Sequence, residues 1–85
     1  MSEKLEIYKK KLLYRASYRG TKEMDILLSS FVKKHIDSLD TDQLKQLENF
    51  LDYEDEIILN YYNFNIPEKN IEKNLMSQKF RNFKV

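Results

Sequence analysis

Gly20 is the only glycine in the chain and Pro67 the only proline. Tight hairpins need such residues at defined turn positions, so a chain this poor in both has few ways to reverse a strand. Helices with short connections are the economical solution. Gly20 then carries particular weight, because it interrupts two segments that otherwise read as unbroken helix. Glycine leaves a helix through a left-handed turn at the least steric cost, so a lone glycine here is a C-cap or a hinge. It stands in Arg19-Gly20-Thr21-Lys22-Glu23-Met24-Asp25, which brings a guanidinium fork and carboxylates to one bend.

Apolar spacing predicts a first helix over Ser2–Ser17, with Leu5, Tyr8, Leu12 and Ala16 on one face and Ile7, Tyr14 and Tyr18 on a neighbouring strip. A second helix starts near Thr21 or Lys22 and carries Met24, Leu27, Leu28, Phe31, Val32 and Ile36. Glu23 and Asp25 fall in its first turn, where the helix dipole favours negative charge. Asp40-Thr41-Asp42-Gln43 reads as a capping box opening a third helix, with Leu39 and Leu44 as its hydrophobic staple. The acidic run Asp52-Tyr53-Glu54-Asp55-Glu56 opens a short fourth helix. After a break at Asn63-Phe64-Asn65, Pro67 suits the first turn of a fifth. Fraying is expected from about Arg81. The expectation is one domain over 1–85, all-α, a compact antiparallel bundle of five short helices with a frayed tail at 81–85.

Composition excludes several function classes. Hydrophobic residues at 41% and charged residues at 34% fit a small folded domain and not a disordered chain. There is no cysteine and one histidine, which removes thiol chemistry and most zinc sites. Without a glycine-rich loop there is no phosphate cradle. The acidic run lacks EF-hand spacing, so it reads as a helix start and not a metal site. His35, at the edge of the second helix's apolar stripe, has no nucleophile or acid in a catalytic context and reads as a packed residue. A net charge of +1 hides segregation: residues 1–22 carry seven Lys or Arg against two Glu, and residues 37–56 carry eight acids against one Lys. That polarity pairs helices or steers a partner, unlike the uniform basicity of nucleic-acid binders. Lys9-Lys10-Lys11 reads as a solvated face. Six tyrosines and five phenylalanines exceed what so small a core needs, and tyrosine is enriched at protein interfaces. Protein binding fits these residues better than catalysis; no apolar run is long enough to span a membrane.

With these residues in place, the chain resembles the SdhE-type flavinylation factors, the succinate dehydrogenase assembly factors of bacteria and mitochondria. Their Arg-Gly-x-x-Glu hallmark stands here as Arg19-Gly20-Thr21-Lys22-Glu23. Leu12-Leu13-Tyr14-Arg15-Ala16-Ser17 before it, Leu27-Leu28 through His35 after it, and Asp52-Tyr53-Glu54-Asp55 then Leu59-Asn60-Tyr61 further on are similar to the family's pattern. Asn65 occupies a connection where the family commonly has glycine, and asparagine also tolerates the left-handed conformation.

The resemblance implies a non-enzymatic assembly factor. It would bind the flavoprotein subunit of succinate dehydrogenase, or of fumarate reductase in some bacteria, and promote covalent attachment of FAD to a histidine of that subunit. FAD belongs to the client, and the factor itself binds no cofactor; neither nucleic-acid binding nor membrane insertion is expected. Partner-binding residues on this reading are Arg15, Tyr18, Arg19, Gly20, Glu23, Asp25, Asp52 and Asp55. Arg19 would offer its fork to the client, with Glu23 holding it in place. The lack of a presequence points to the bacterial cytoplasm over the mitochondrial matrix. The competing reading is a generic helical adaptor or small regulator that touches nucleic acid through Lys9–Lys11.

Overall fold

The computed structural model describes residues 2–84. Among these residues five α-helices form, α1 (Ser2–Ser17), α2 (Lys22–His35), α3 (Thr41–Leu51), α4 (Asp55–Phe64) and α5 (Leu75–Arg81), with 3₁₀ turns at Ile36–Ser38 and Ile71–Lys73. No strand occurs among the described residues. The radius of gyration is 12.2 Å, against about 12 Å for a folded chain of this length.

Local side chains set several of the helix ends. Thr21 caps α2 by accepting from the Met24 amide at 3.2 Å. Asp40 and Gln43 form the expected reciprocal capping box on α3, at 2.8 and 3.0 Å. Asn65 closes α4 in the left-handed conformation, φ 55° and ψ 39°, so it does the work that glycine commonly does at a helix end.

The start of α5 differs from the sequence expectation. Pro67 lies in an irregular connection that also contains left-handed Lys69 and Asn70, and α5 begins eight residues later at Leu75. Asn74 is the cap: its Oδ1 accepts from Met76 and Ser77 amides, and its Nδ2 donates to the Gln46 carbonyl of α3 at 2.9 Å. One side chain thus starts a helix and ties it to a neighbour. Asn74→Ala is expected to destabilise the fold by about 1–2 kcal/mol. The check is a lower urea midpoint at unchanged denaturant slope.

Phe31 of α2 sits at the centre of the core. It is fully buried and meets Phe50, Phe80 and Phe83 edge to face at 6.3, 5.2 and 5.4 Å, the geometry that aromatic quadrupoles favour. Leu12 and Ala16 bring α1 into the same core. Tyr8 clasps α1 to α3 by donating to Glu48 at 2.8 Å. Burial, then the Glu48 bond and charge, push its hydroxyl pKa up to about 12.

The tail also departs from expectation. α5 does end at Arg81, yet Phe83 is buried and its carbonyl accepts from the Tyr62 hydroxyl at 2.7 Å. Burying an aromatic ring offsets the entropy of ordering two more residues. Val85 lies outside the described residues.

Candidate functional site

Helix ends explain why the α1–α2 bend meets the α3–α4 connection. The last carbonyls of a helix have no partner within it, and that end is electronegative. α3 carries no basic residue in its last turn, so the missing cation must come from elsewhere. Arg19 supplies it. Nη1 donates to the Leu51 carbonyl and Nη2 to the Tyr53 carbonyl, both at 2.6 Å, while Nε donates to Asp55 Oδ1 at 2.9 Å. Asp55 stands in the first turn of α4, the favourable end for an acid. The guanidinium is therefore wedged between the negative end of α3 and the first carboxylate of α4. Its side chain is only 11% exposed.

Around this wedge the other residues have separate tasks. The Arg19 amide donates to Asp25 Oδ1 at 2.5 Å, which binds the bend to α2. Gly20 has φ 137°, a conformation L-residues rarely adopt, and it is exposed. A Cβ there would meet Asp55 Oδ2 at 3.6 Å, ordinary contact. Glycine is demanded here by backbone conformation and not by space. Arg15 pairs with Asp52 at 2.5 Å across a more open surface, a geometry that stabilises little by itself. Tyr18 is 70% exposed, with its ring 4.7 Å from that of Tyr14.

Arg15, Arg19, Gly20, Asp25, Asp52 and Asp55 thus come together at one corner, with Tyr18 on its rim. Tyr18, Arg19, Glu54, Asp55 and Glu56 line an open depression of about 420 Å³ there. Glu23 does not join them. It is exposed and lines a different groove with Ile26, Leu27 and Tyr62, because it lies two residues short of the position from which Asp25 reaches back. The role of holding Arg19, expected of Glu23, belongs to Asp55 and the two carbonyls. The fork expected to face outward is already engaged by the chain itself.

Sequence reasoning missed Leu51 and Tyr53, whose backbone oxygens leave no trace in residue type. It also missed Tyr53 as a brace: its hydroxyl donates to the Lys69 carbonyl at 2.7 Å, holding the α4–α5 connection against the corner. The signal that could have found the carbonyls was the end of α3 itself, which has to leave acceptors unpaired.

His35 lies away from this corner. Its ring is 4.9 Å from Phe31 and 6.4 Å from Phe83. Burial first, then the Lys79 and Lys34 charges, hold its pKa below the ordinary 6.5. Below about pH 6.5 the unfolded chain therefore takes up this proton before the folded one does. The stability linked to His35 is complete above that pH and is lost as pH falls through the lowered folded value. Wild type is expected to lose more stability between pH 7.5 and 5 than His35→Gln; parallel urea-midpoint profiles would refute this.

A protein-family model described as flavinator of succinate dehydrogenase matches residues 10–84. Succinate dehydrogenase assembly factor 2, mitochondrial, of Meyerozyma guilliermondii is 45% identical over 53 residues, 62% of this chain and 39% of that protein. FAD assembly factor SdhE of Acetobacter pasteurianus is 36% identical over 53 residues, 62% of this chain and 49% of that protein. Succinate dehydrogenase assembly factor 2-B, mitochondrial, of Drosophila simulans is 41% identical over 49 residues, 58% of this chain and 31% of that protein. The matched stretch is under half the length of each relative. No solved structure matches the chain. These relatives correct the expectation of a bacterial cytoplasmic protein, since several are named mitochondrial beside one bacterial factor. The helical residues that carry the match encode a fold and not an address, so the early residues of this chain were no guide to compartment.

Proposed function

This chain belongs to the flavinators of succinate dehydrogenase, and from that premise we propose that it binds the enzyme's flavoprotein subunit and promotes covalent attachment of FAD to a histidine of that subunit. The observation that carries the reading is the braced bend: Arg19 is locked from within, and the locked turn presents exposed Gly20 and Tyr18 at a corner of the fold. Arg19 is on this reading a positioning residue. Gly20, bare of side chain, lets the client's backbone approach closely, and Tyr18 adds an aromatic contact with little rotamer entropy to lose. Asp25, Asp55, Arg15 and Asp52 keep the corner in shape.

The factor performs no turnover of its own. It accelerates the client's reaction by holding the client and FAD in a reactive arrangement, a proximity effect. Both the histidine and the flavin stay with the client, which leaves His35 to its packing role.

The test mixes the protein with flavin-free flavoprotein subunit, FAD and a dicarboxylate, and reads covalent flavin as fluorescence on a denaturing gel. Faster labelling with the protein present is expected. Equal rates with and without it, together with no binding to the subunit, would end this reading.

A further inference from the structure

The outer face of α1 is built like a surface that expects company. Ile7, Lys10, Lys11, Tyr14 and Arg15 are spaced by three and four residues, so they share one side of the helix, and Tyr18 continues the row just past its end. The first five line a groove of about 400 Å³. Ile7 is 49% exposed and Tyr14 66%. The three lysines of the basic run behave differently. Lys9 lies down along the fold toward Asp37, at 3.8 Å. Lys10 and Lys11 point outward, with no carboxylate within 4 Å among the described residues.

Resting on the proposed function, we infer that this α1 face is the second half of the docking surface, and that it takes a carboxylate-bearing surface of the client flavoprotein. Charge, continuity and size all favour this face. The first is charge: two unpaired lysines beside apolar groups fit an acidic protein surface, and complementary charge steers the encounter. The second is continuity. The Tyr14–Tyr18 ring pair carries the face without a gap into the Arg19-Gly20 bend.

The third is size. A stable interface buries about 800 Å² on each partner, more than a four-residue turn exposes. From Ile7 to Tyr18 the α1 face runs roughly 17 Å at 1.5 Å per residue. An anionic lipid surface fits less well, because Ile7 is the one aliphatic residue of the face and exposed Glu3 and Glu6 lie on the same helix.

The experiment titrates flavin-free flavoprotein subunit with wild type, with Lys10→Glu/Lys11→Glu, and with Lys73→Glu/Lys84→Glu, which changes net charge equally at exposed sites elsewhere. Circular dichroism establishes that all three are folded. The α1 variant should bind at least about tenfold more weakly than wild type and lose most of the salt dependence. The control pair should bind as wild type does. Equal weakening by both pairs, or by neither, overturns the inference while leaving the proposed function standing. Failure of wild type to bind the subunit defeats that function and this inference together. A last arm sediments the proteins with phosphatidylserine-containing vesicles; loss of vesicle binding in the α1 variant with client binding unchanged would assign the face to lipid and overturn the inference.

Discussion

Arg19→Ala is expected to lower the unfolding free energy by about 3 kcal/mol, a large share of the stability of so small a domain. The substitution removes one largely buried cation and leaves three part-buried acceptors without their donor at once: the Leu51 and Tyr53 carbonyls and the Asp55 carboxylate. Removing one partner of a buried ion pair costs about 3–5 kcal/mol. Asp55 is 28% exposed and recovers some hydration, which places the expectation at the lower end. Arg19→Lys keeps the charge but not the planar fork, so it should fall between wild type and alanine. Urea unfolding monitored by circular dichroism measures both. A shift below about 1 kcal/mol for alanine would mean that the corner is not held by this side chain. The consequence for function is direct: an inactive Arg19→Ala protein would report a disordered corner as readily as a lost client contact.

Gly20→Arg separates those two causes. The backbone at φ 137° resists any side chain, and such strain costs about 1–3 kcal/mol. The new side chain would nevertheless leave from an exposed position with its Cβ in ordinary contact. The helices should therefore persist, with helicity within error of wild type at 25 °C. Promotion of covalent flavin attachment should vanish, because the arginine would stand between the bend and the client. A helical variant that promotes attachment at the wild-type rate would remove Gly20 from the interface. Collapse of helicity would reduce Gly20 to a plain helix terminator.

The contrast between these two neighbours shows what the residues disclosed and what they concealed. Helices α1 to α4 were legible because each carries its own local cause: apolar spacing in α1 and α2, a capping box at Asp40 and Gln43, an acidic first turn at Asp55. Gly20 was legible for the same reason, since one glycine between helical patterns has few uses. The position of α5 was not. Pro67 is a permissive start signal, and the capping decision fell to Asn74, whose second hydrogen bond reaches Gln46 across the fold. Phe83 likewise became a core residue through Tyr62 and Phe31, neither of them near it in sequence.

At the corner itself, residue types pointed to side chains most of which the fold brings together, but not to their wiring. Arg15 with Asp52 and Arg19 with Asp55 each pair across 36 or 37 positions, and charge segregation between residues 1–22 and 37–56 anticipated attraction of that kind. Whether Arg19 faced the client or the fold depended on two backbone carbonyls. Those become acceptors only once α3 has ended where it does. Glu23 was expected to hold Arg19 from three residues past the glycine, and helix geometry gave the inward position to Asp25 instead.

The central claim is that a bend locked from inside is the face offered to the client. Amide hydrogen exchange of this protein, alone and saturated with flavin-free flavoprotein subunit, tests it most directly. Binding should slow exchange at Tyr18–Thr21 and along the end of α1, while α5 and its connection to α4 stay unchanged. Protection confined to α5 or to Phe64–Asn70, with the bend exchanging as before, would contradict the account.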